Sequence, residues 1–210
     1  MWNSQIIKVT AGSINGCNDT VIGGVAGIDG VSKYAGQLGA PVWLGDSQLI
    51  YNSAIGTVFG GRFRYVRLAA AATAVVVGAI VFWDISVADN LYQVTTSEAS
   101  SVPGAQLRAG IVLNNGWTPG NYSFIQDVGP TFVKFRAALS TAPAGVGVAV
   151  YAAAAGTGAD NGFADTISSS DPALFSDVTL MQNRYIGAAI QLPTNGGLKL
   201  TNVNFANLRG

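Results

Sequence analysis

Turn dipeptides punctuate this chain at short intervals: Asn15-Gly16, Asp29-Gly30, Asn115-Gly116, Pro119-Gly120, Asn161-Gly162 and Asn195-Gly196. Asn, Asp and Gly tolerate the left-handed backbone that tight reversals require. The runs between them are short and rich in Val, Ile, Thr, Phe and Tyr, which suit a pleated, half-buried surface. The pattern predicts an all-β fold, an antiparallel barrel or sandwich of short strands. Strands are expected over residues 63–69, 75–83, 107–113, 123–127, 131–138, 147–152, 185–191 and 198–205. The best helical segments, 173–175 and 180–183, are no more than short turns.

Alternation assigns faces within these runs. Arg62 and Arg64 share one face of their strand, with Phe63 and Tyr65 on the other. Val133, Phe135 and Ala137 oppose Lys134 and Arg136 in the same way. Residues 109–138 read as a three-strand meander: strand, a loop dense in Asn, Gly and Pro, strand, a tight turn at Val128-Gly129-Pro130, and strand. In the last strand Leu198 and Leu200 fall out of phase with Val203 and Phe205, so a β-bulge near Thr201-Asn202 is expected to bring all four to the core. Phe63, Tyr65, Val133, Phe135, Val148, Ile186 and Leu200 form the expected core.

Residues 1–55 differ, with many glycines and little sustained alternation. They are expected to form an extended N-terminal arm, followed by a β-domain over 56–210. Glycine-rich chain loses much backbone freedom on ordering. An arm of this kind would order against a partner through apolar anchors such as Ile6, Ile7, Val42 and Trp43.

Charge decides what surrounds the fold. Only 10% of the 210 residues are charged, 49% are hydrophobic, and Lys+Arg (11) balances Asp+Glu (11). A soluble domain ordinarily carries about 25% charged residues, so this surface is suited to being covered by neighbours. The longest apolar run, 68–83, is shorter than the roughly 20 residues of a membrane-crossing helix. It also passes into the β-branched Val75-Val76-Val77, which favours a strand. The first residues show no basic segment leading into an apolar stretch, so synthesis in a cytoplasm is expected. Neither a membrane nor nucleic acid is an expected partner, because the one basic cluster, Arg62, Arg64 and Arg67, is small and suited to pairing with aspartates.

The same inventory narrows the chemistry. The chain has no histidine and a single cysteine, Cys17, so Ser-His and Cys-His nucleophiles, intrachain disulfides and cysteine-based zinc sites are excluded. The lone Glu98, with Asp84 and Asp89 near it in sequence, reads as loop acids and not as a glycosidase pair. The Asp160-Asn161-Gly162 turn with Asp165 lacks the acid ladder of a calcium loop. No catalytic residue, cofactor or metal site is expected. Trp117 and Tyr122, flanking Pro119-Gly120, are candidates for stacking or for an interface.

Residues 36–138 resemble a family of small structural proteins of tailed bacteriophages. The likeness is carried by Leu38-Gly39, by the run Gly56-Thr57-Val58-Phe59-Gly60-Gly61-Arg62-Phe63-Arg64-Tyr65-Val66-Arg67, and by Pro119-Gly120-Asn121-Tyr122 leading to Gln126 and Gly129. The pair of segments 185–189 and 198–200 is similar to the closing hairpin of those proteins. The first 35 residues carry no such likeness. The resemblance implies a capsid decoration or cement protein without catalytic residues. Its expected location is the virion surface and its expected partners are the major capsid protein and further copies of itself, as a homotrimer. The alternative is a carbohydrate-binding or structural module of a phage tail or fibre. Ile6, Ile7, Val42, Trp43, Arg62, Arg64, Trp117 and Tyr122 are the candidate interface residues.

Overall fold

The computed structural model describes residues 17–20, 38–39, 41–45, 50–52, 56–58, 60–70, 72, 75–84, 92–96, 108–153, 162–166 and 184–205. The fold is all-β, as expected. Its strands are β1 (Pro41–Leu44), β2 (Ile50–Asn52), β3 (Gly56–Val58), β4 (Gly61–Leu68), β5 (Ile80–Trp83), β6 (Gln93–Thr95), β7 (Arg108–Val112), β8 (Tyr122–Lys134), β9 (Ala149–Ala152), β10 (Ala164–Asp165), β11 (Tyr185–Ala189) and β12 (Leu198–Asn204). β2 and β3 pair with each other alone. The rest form one 10-stranded sheet in the order β1-β4-β6-β5-β7-β8-β12-β11-β9-β10. Of its pairings, β4–β6 is parallel.

The long strand β8 organises this sheet. Its first half pairs with β7 and also with β4, which closes β4, β6, β5, β7 and β8 into a ring. Its second half pairs with β12, and the sheet runs on through β11, β9 and β10. A parallel bridge between Phe135 and Ala164, with Arg136 N donating to Ala164 O at 3.0 Å, brings that end back to β8. The sheet therefore curls twice about one strand, and β8 belongs to both curls.

Three apolar clusters follow from this arrangement. Val66, Leu68, Val81, Trp83, Val94, Val112, Trp117 and Ile125 share the first. Ile80, Phe82, Ile111, Val133, Phe135, Val150, Ile186, Val203 and Phe205 make up the second. Alternate residues of β5 thus enter different clusters, and all four of its residues are buried. A strand covered on both faces shows no polar alternation, which is why Ile80-Val81-Phe82-Trp83 reads as an uninterrupted apolar run. The third cluster, Cys17, Leu44, Phe63, Tyr65, Leu113 and Phe124, covers the other face of β4 and β8. Six of the seven expected core residues are buried, and Val148 packs, partly buried, against the second cluster.

Four expectations are corrected. The turn at Val128-Gly129-Pro130 does not exist, because the chain continues as a single 13-residue strand. It bends there instead. Gly129 has a φ of 108°, and a Cβ on it would lie 2.9 Å from Gly60 O, so glycine lets two backbones approach where a side chain would not fit. Residues 75–79 form a turn ahead of β5, with Gly78 N donating to Val112 O and Gly78 O accepting from Lys134 N, both at 2.9 Å.

The bulge expected in β12 is absent: its register against β8 is continuous from Leu198↔Lys134 to Asn204↔Val128. Thr201, Val203 and Phe205 are buried on one face while Leu198 and Leu200 cover the other, so both phases are used. The nearby irregularity lies in β11, between Tyr185 and Gly187.

Finally, the sheet does not begin near residue 56. β1 pairs with β4 from Pro41↔Arg64 to Leu44↔Gly61, and Asp19 bridges Tyr122. Residues 17–19, 38–39 and 41–44 of the predicted arm are packed on the domain because their apolar members, Cys17, Leu38, Val42 and Leu44, cover the outer face of β4. Ile6, Ile7 and the two helical segments lie outside the described residues.

Candidate functional site

Two polar assemblies stand on β4 and β8, one at each end of their pairing. The first centres on Asp127. β4 and β8 change register between Arg62↔Val128 and Phe63↔Gln126, leaving Asp127 as the extra residue of a β-bulge. Bulges re-aim side chains, and here the carboxylate meets the arginine face of β4. Arg62 Nε lies 2.9 Å from Oδ1 and Arg62 Nη2 2.8 Å from Oδ2. Arg64 Nε reaches Oδ2 at 2.7 Å, while its Nη1 donates to Gly39 O at 3.1 Å. Asp127's backbone oxygen accepts from Phe205 N at 2.8 Å. The neighbouring Gln126, fully buried, donates through Nε2 to Val128 O and Pro130 O at 3.3 and 3.1 Å, bracketing the bend.

Trp43 extends this face outward. It stands opposite Arg62 in the β1–β4 register, is 64% exposed, and has the Arg62 guanidinium carbon 5.7 Å from its ring centre. Such stacking stabilises by about 0.5–1 kcal/mol at exposed sites. Its larger effect here is to hold a wide aromatic surface steady. β1 is also the terminal strand of the sheet, so Trp43 lies on an edge.

The second assembly is built by residues 17–19. Asp19 and Tyr122 exchange backbone hydrogen bonds at 2.8 Å each way. Ser123 Oγ donates to Cys17 O at 2.6 Å, and Tyr65 Oη donates to Asp19 Oδ2 at 2.7 Å. Asn18 closes the loop before β8. Its Oδ1 accepts from Thr118 N at 3.1 Å and from Asn121 Nδ2 at 3.0 Å, and its Nδ2 donates to Thr118 Oγ1 at 3.1 Å. These are bonds that hold a loop in one shape. A third acid, Asp165, works similarly, accepting from Arg136 Nη1 at 3.0 Å, Ser140 N at 2.9 Å and Thr166 N at 2.8 Å.

The eight candidate interface residues therefore separate. Trp43, Arg62 and Arg64 come together on one surface. Val42 points to the opposite face and packs against the third cluster. Trp117 is a correction: it is 1% exposed, with Nε1 donating to Asn121 O at 3.1 Å, because the apolar indole fills the first cluster while its one donor meets a loop carbonyl. Tyr122 is half-buried between Tyr65, at 5.9 Å ring to ring, and the Arg67 guanidinium, also 5.9 Å away.

Sequence reading missed Asp127 as the common partner of the arginines. The available signal was an acid inside the strand run ahead of Gly129-Pro130, since an acid in a buried strand needs a cation. Asn18 and Asp19 offered no comparable signal.

Asp127 has both oxygens committed to guanidinium groups, which makes it a brace between the two arginines. Among the described residues no group of three His, Cys, Asp or Glu is placed to hold a metal ion. No protein-family model matches the chain, and no curated protein sequence matches it.

Proposed function

We propose that the chain is a non-enzymatic structural protein of a tailed-phage virion, which binds the capsid exterior and bridges neighbouring shell subunits as a decoration or cement protein. The observation that carries this reading is where the few charges go. Asp127 and Asp165 have side chains 2% and 3% exposed and hold Arg62, Arg64 and Arg136. Charges used inside the fold are withdrawn from a surface that has few to begin with, while Trp43, Val146, Ile190 and Leu192 stay exposed. A surface poor in charge with aromatic and aliphatic residues outside suits contact with protein.

The mechanism is mechanical. Each copy buries apolar area that subunits must expose again on separating, at about 25 cal/mol per Å², less the freedom lost on binding. Repetition over a shell multiplies a modest gain per copy. The partners of this reading are the major capsid protein and the chain itself, as a trimer. The glycan-module alternative would have to rely on Tyr122 without Trp117, which is enclosed.

Co-sedimentation of the purified chain with capsids assembled from the major capsid protein of the same genome tests the reading. Saturable binding that raises the temperature of shell opening is the expected result, and Trp43→Glu should weaken it. A chain that stays in the supernatant at every concentration would overturn it.

A further inference from the structure

A second surface feature lies away from Trp43. Val76, Val77, Asn115, Lys134, Phe163 and Leu198 line a depression of about 300 Å³ that lies open to solvent on one side. Its position follows from the fold. The Gly78 turn brings Val76 and Val77 beside the end of β8, and the β12 register sets Leu198 opposite Lys134. The walls are mainly apolar, yet two polar groups on them keep unused donors. Lys134 Nζ donates to Gly196 O at 2.6 Å; an ammonium has three donors, and no acid is among the described residues that line the depression. Asn115 Oδ1 accepts from Val77 N at 2.9 Å, which leaves the Nδ2 donors of the same amide for another acceptor.

We propose that this depression is a docking site for a partner segment that presents one apolar side chain beside a carboxylate. The apolar part would cover Val76, Phe163 and Leu198. The carboxylate would accept from Lys134 and Asn115, a charge-assisted arrangement shorter and stronger than a neutral one. Because the depression is open, a free small molecule would keep much of its surface wet, whereas tight small-molecule sites enclose most of their ligand. A side chain projected from a protein surface has no such requirement, and pockets that receive one anchoring side chain are where interface energy concentrates. The inference rests on the reading that the chain docks on a protein shell, and it adds the chemistry of the contact.

The test uses the full chain and amide NMR, titrating acetyl-Leu-Asp-amide, acetyl-Leu-Asn-amide and octanoate. Acetyl-Leu-Asp-amide should shift the amides of residues 76–78, 115, 134, 163 and 198, and bind about two- to fivefold more tightly than the Asn peptide, the range of a solvent-exposed ion pair. Lys134→Met should abolish that preference while leaving the amides of β9 and β11 unmoved, which shows the fold is intact. Asn115→Ala should reduce it. Equal binding of the two peptides, or no shift at this site, overturns the proposal. Octanoate binding more tightly than either peptide also overturns it and assigns the site to free amphipathic acids. Capsid co-sedimentation is a separate measurement, so failure here and failure of the virion reading are distinguishable.

Discussion

Arg62 meets Asp127 along the Nε edge of its guanidinium, with Nε 2.9 and 3.0 Å from the two carboxylate oxygens and Nη2 2.8 Å from Oδ2. The acid sits in the bulge where β8 passes from one curl of the sheet to the other, and it also holds Arg64. Removing it would leave two adjacent cations facing each other. Their side chains are 13% and 19% exposed, so part of the loss is recovered through water. Asp127→Asn should destabilise the fold by about 2–4 kcal/mol, toward the low side of a broken buried pair. Urea unfolding monitored by tryptophan fluorescence measures it, and a change within about 0.5 kcal/mol, the size of an ordinary surface substitution, would remove Asp127 from the role of brace.

Gly129 makes the bend in β8 possible. A methyl group there would meet the backbone of Gly60 and Gly61 at 2.9 and 3.1 Å, and backbone cannot swing aside as a flexible side chain can. Its φ of 108° adds strain for any other residue. Gly129→Ala should cost at least about 1–3 kcal/mol from backbone strain alone. A variant as stable as the parent would mean that the two halves of β8 do not need this bend.

Asp19 ties the N-terminal residues to the core through the Tyr65 hydroxyl, and Tyr65 is fully buried. Asp19→Ala should lower stability by about 1–3 kcal/mol, the range for disturbing a buried polar partner. Deletion of residues 1–35 should cost more, since it also removes Cys17 and Asn18. If the truncated chain unfolded at the same urea concentration as the full one, these residues would be ornament on the domain and not part of it.

Tyr151 and Tyr185 stand edge to face at 5.8 Å. Burial first, and the neighbouring Tyr185 hydroxyl second, raise the Tyr151 phenol above its ordinary 10.0. A raised folded value means that the folded state keeps its proton while the unfolded chain has begun to lose it. Any stability linked to this group is therefore fully present below pH 10 and declines as pH rises beyond it. Absorbance titration of the phenolates should show Tyr151 ionising late, and Tyr185→Phe should move it back toward the ordinary value. A Tyr151 titration unchanged by that substitution would dismiss the second cause.

The central strands were legible in the sequence because their alternation is strong. Phe63 and Tyr65 opposite Arg62 and Arg64, and Val133 and Phe135 opposite Lys134 and Arg136, fall as alternation says they must. Phe135 is the sharpest case: it is fully enclosed, and truncation to Ala should cost about 3–5 kcal/mol. What alternation could not supply was pairing over long separations. Val128-Gly129-Pro130 carries turn chemistry, and only the approach of Gly60 and Gly61 from far upstream converts it into a bend. Trp117 looked like a surface aromatic because its loop is polar, while the cluster it joins is gathered from strands β4 to β8. The described N-terminal residues read as a strap since glycine hides how closely they fit.

The contact between residues 17–19 and the start of β8 also fixes an order of events during synthesis. Cys17 is separated from Tyr122 by 105 positions, so the ribosome makes one side of this seam long before the other. At about 5–20 residues per second, the early segment waits on the order of 5–20 s for Tyr122 and Ser123 to emerge. Seams between such distant positions form slowly because the intervening chain must first be gathered in. The side of this seam that is translated earlier must therefore wait for the later one, and a nascent chain stalled before Tyr122 would hold residues 17–19 with nowhere to dock.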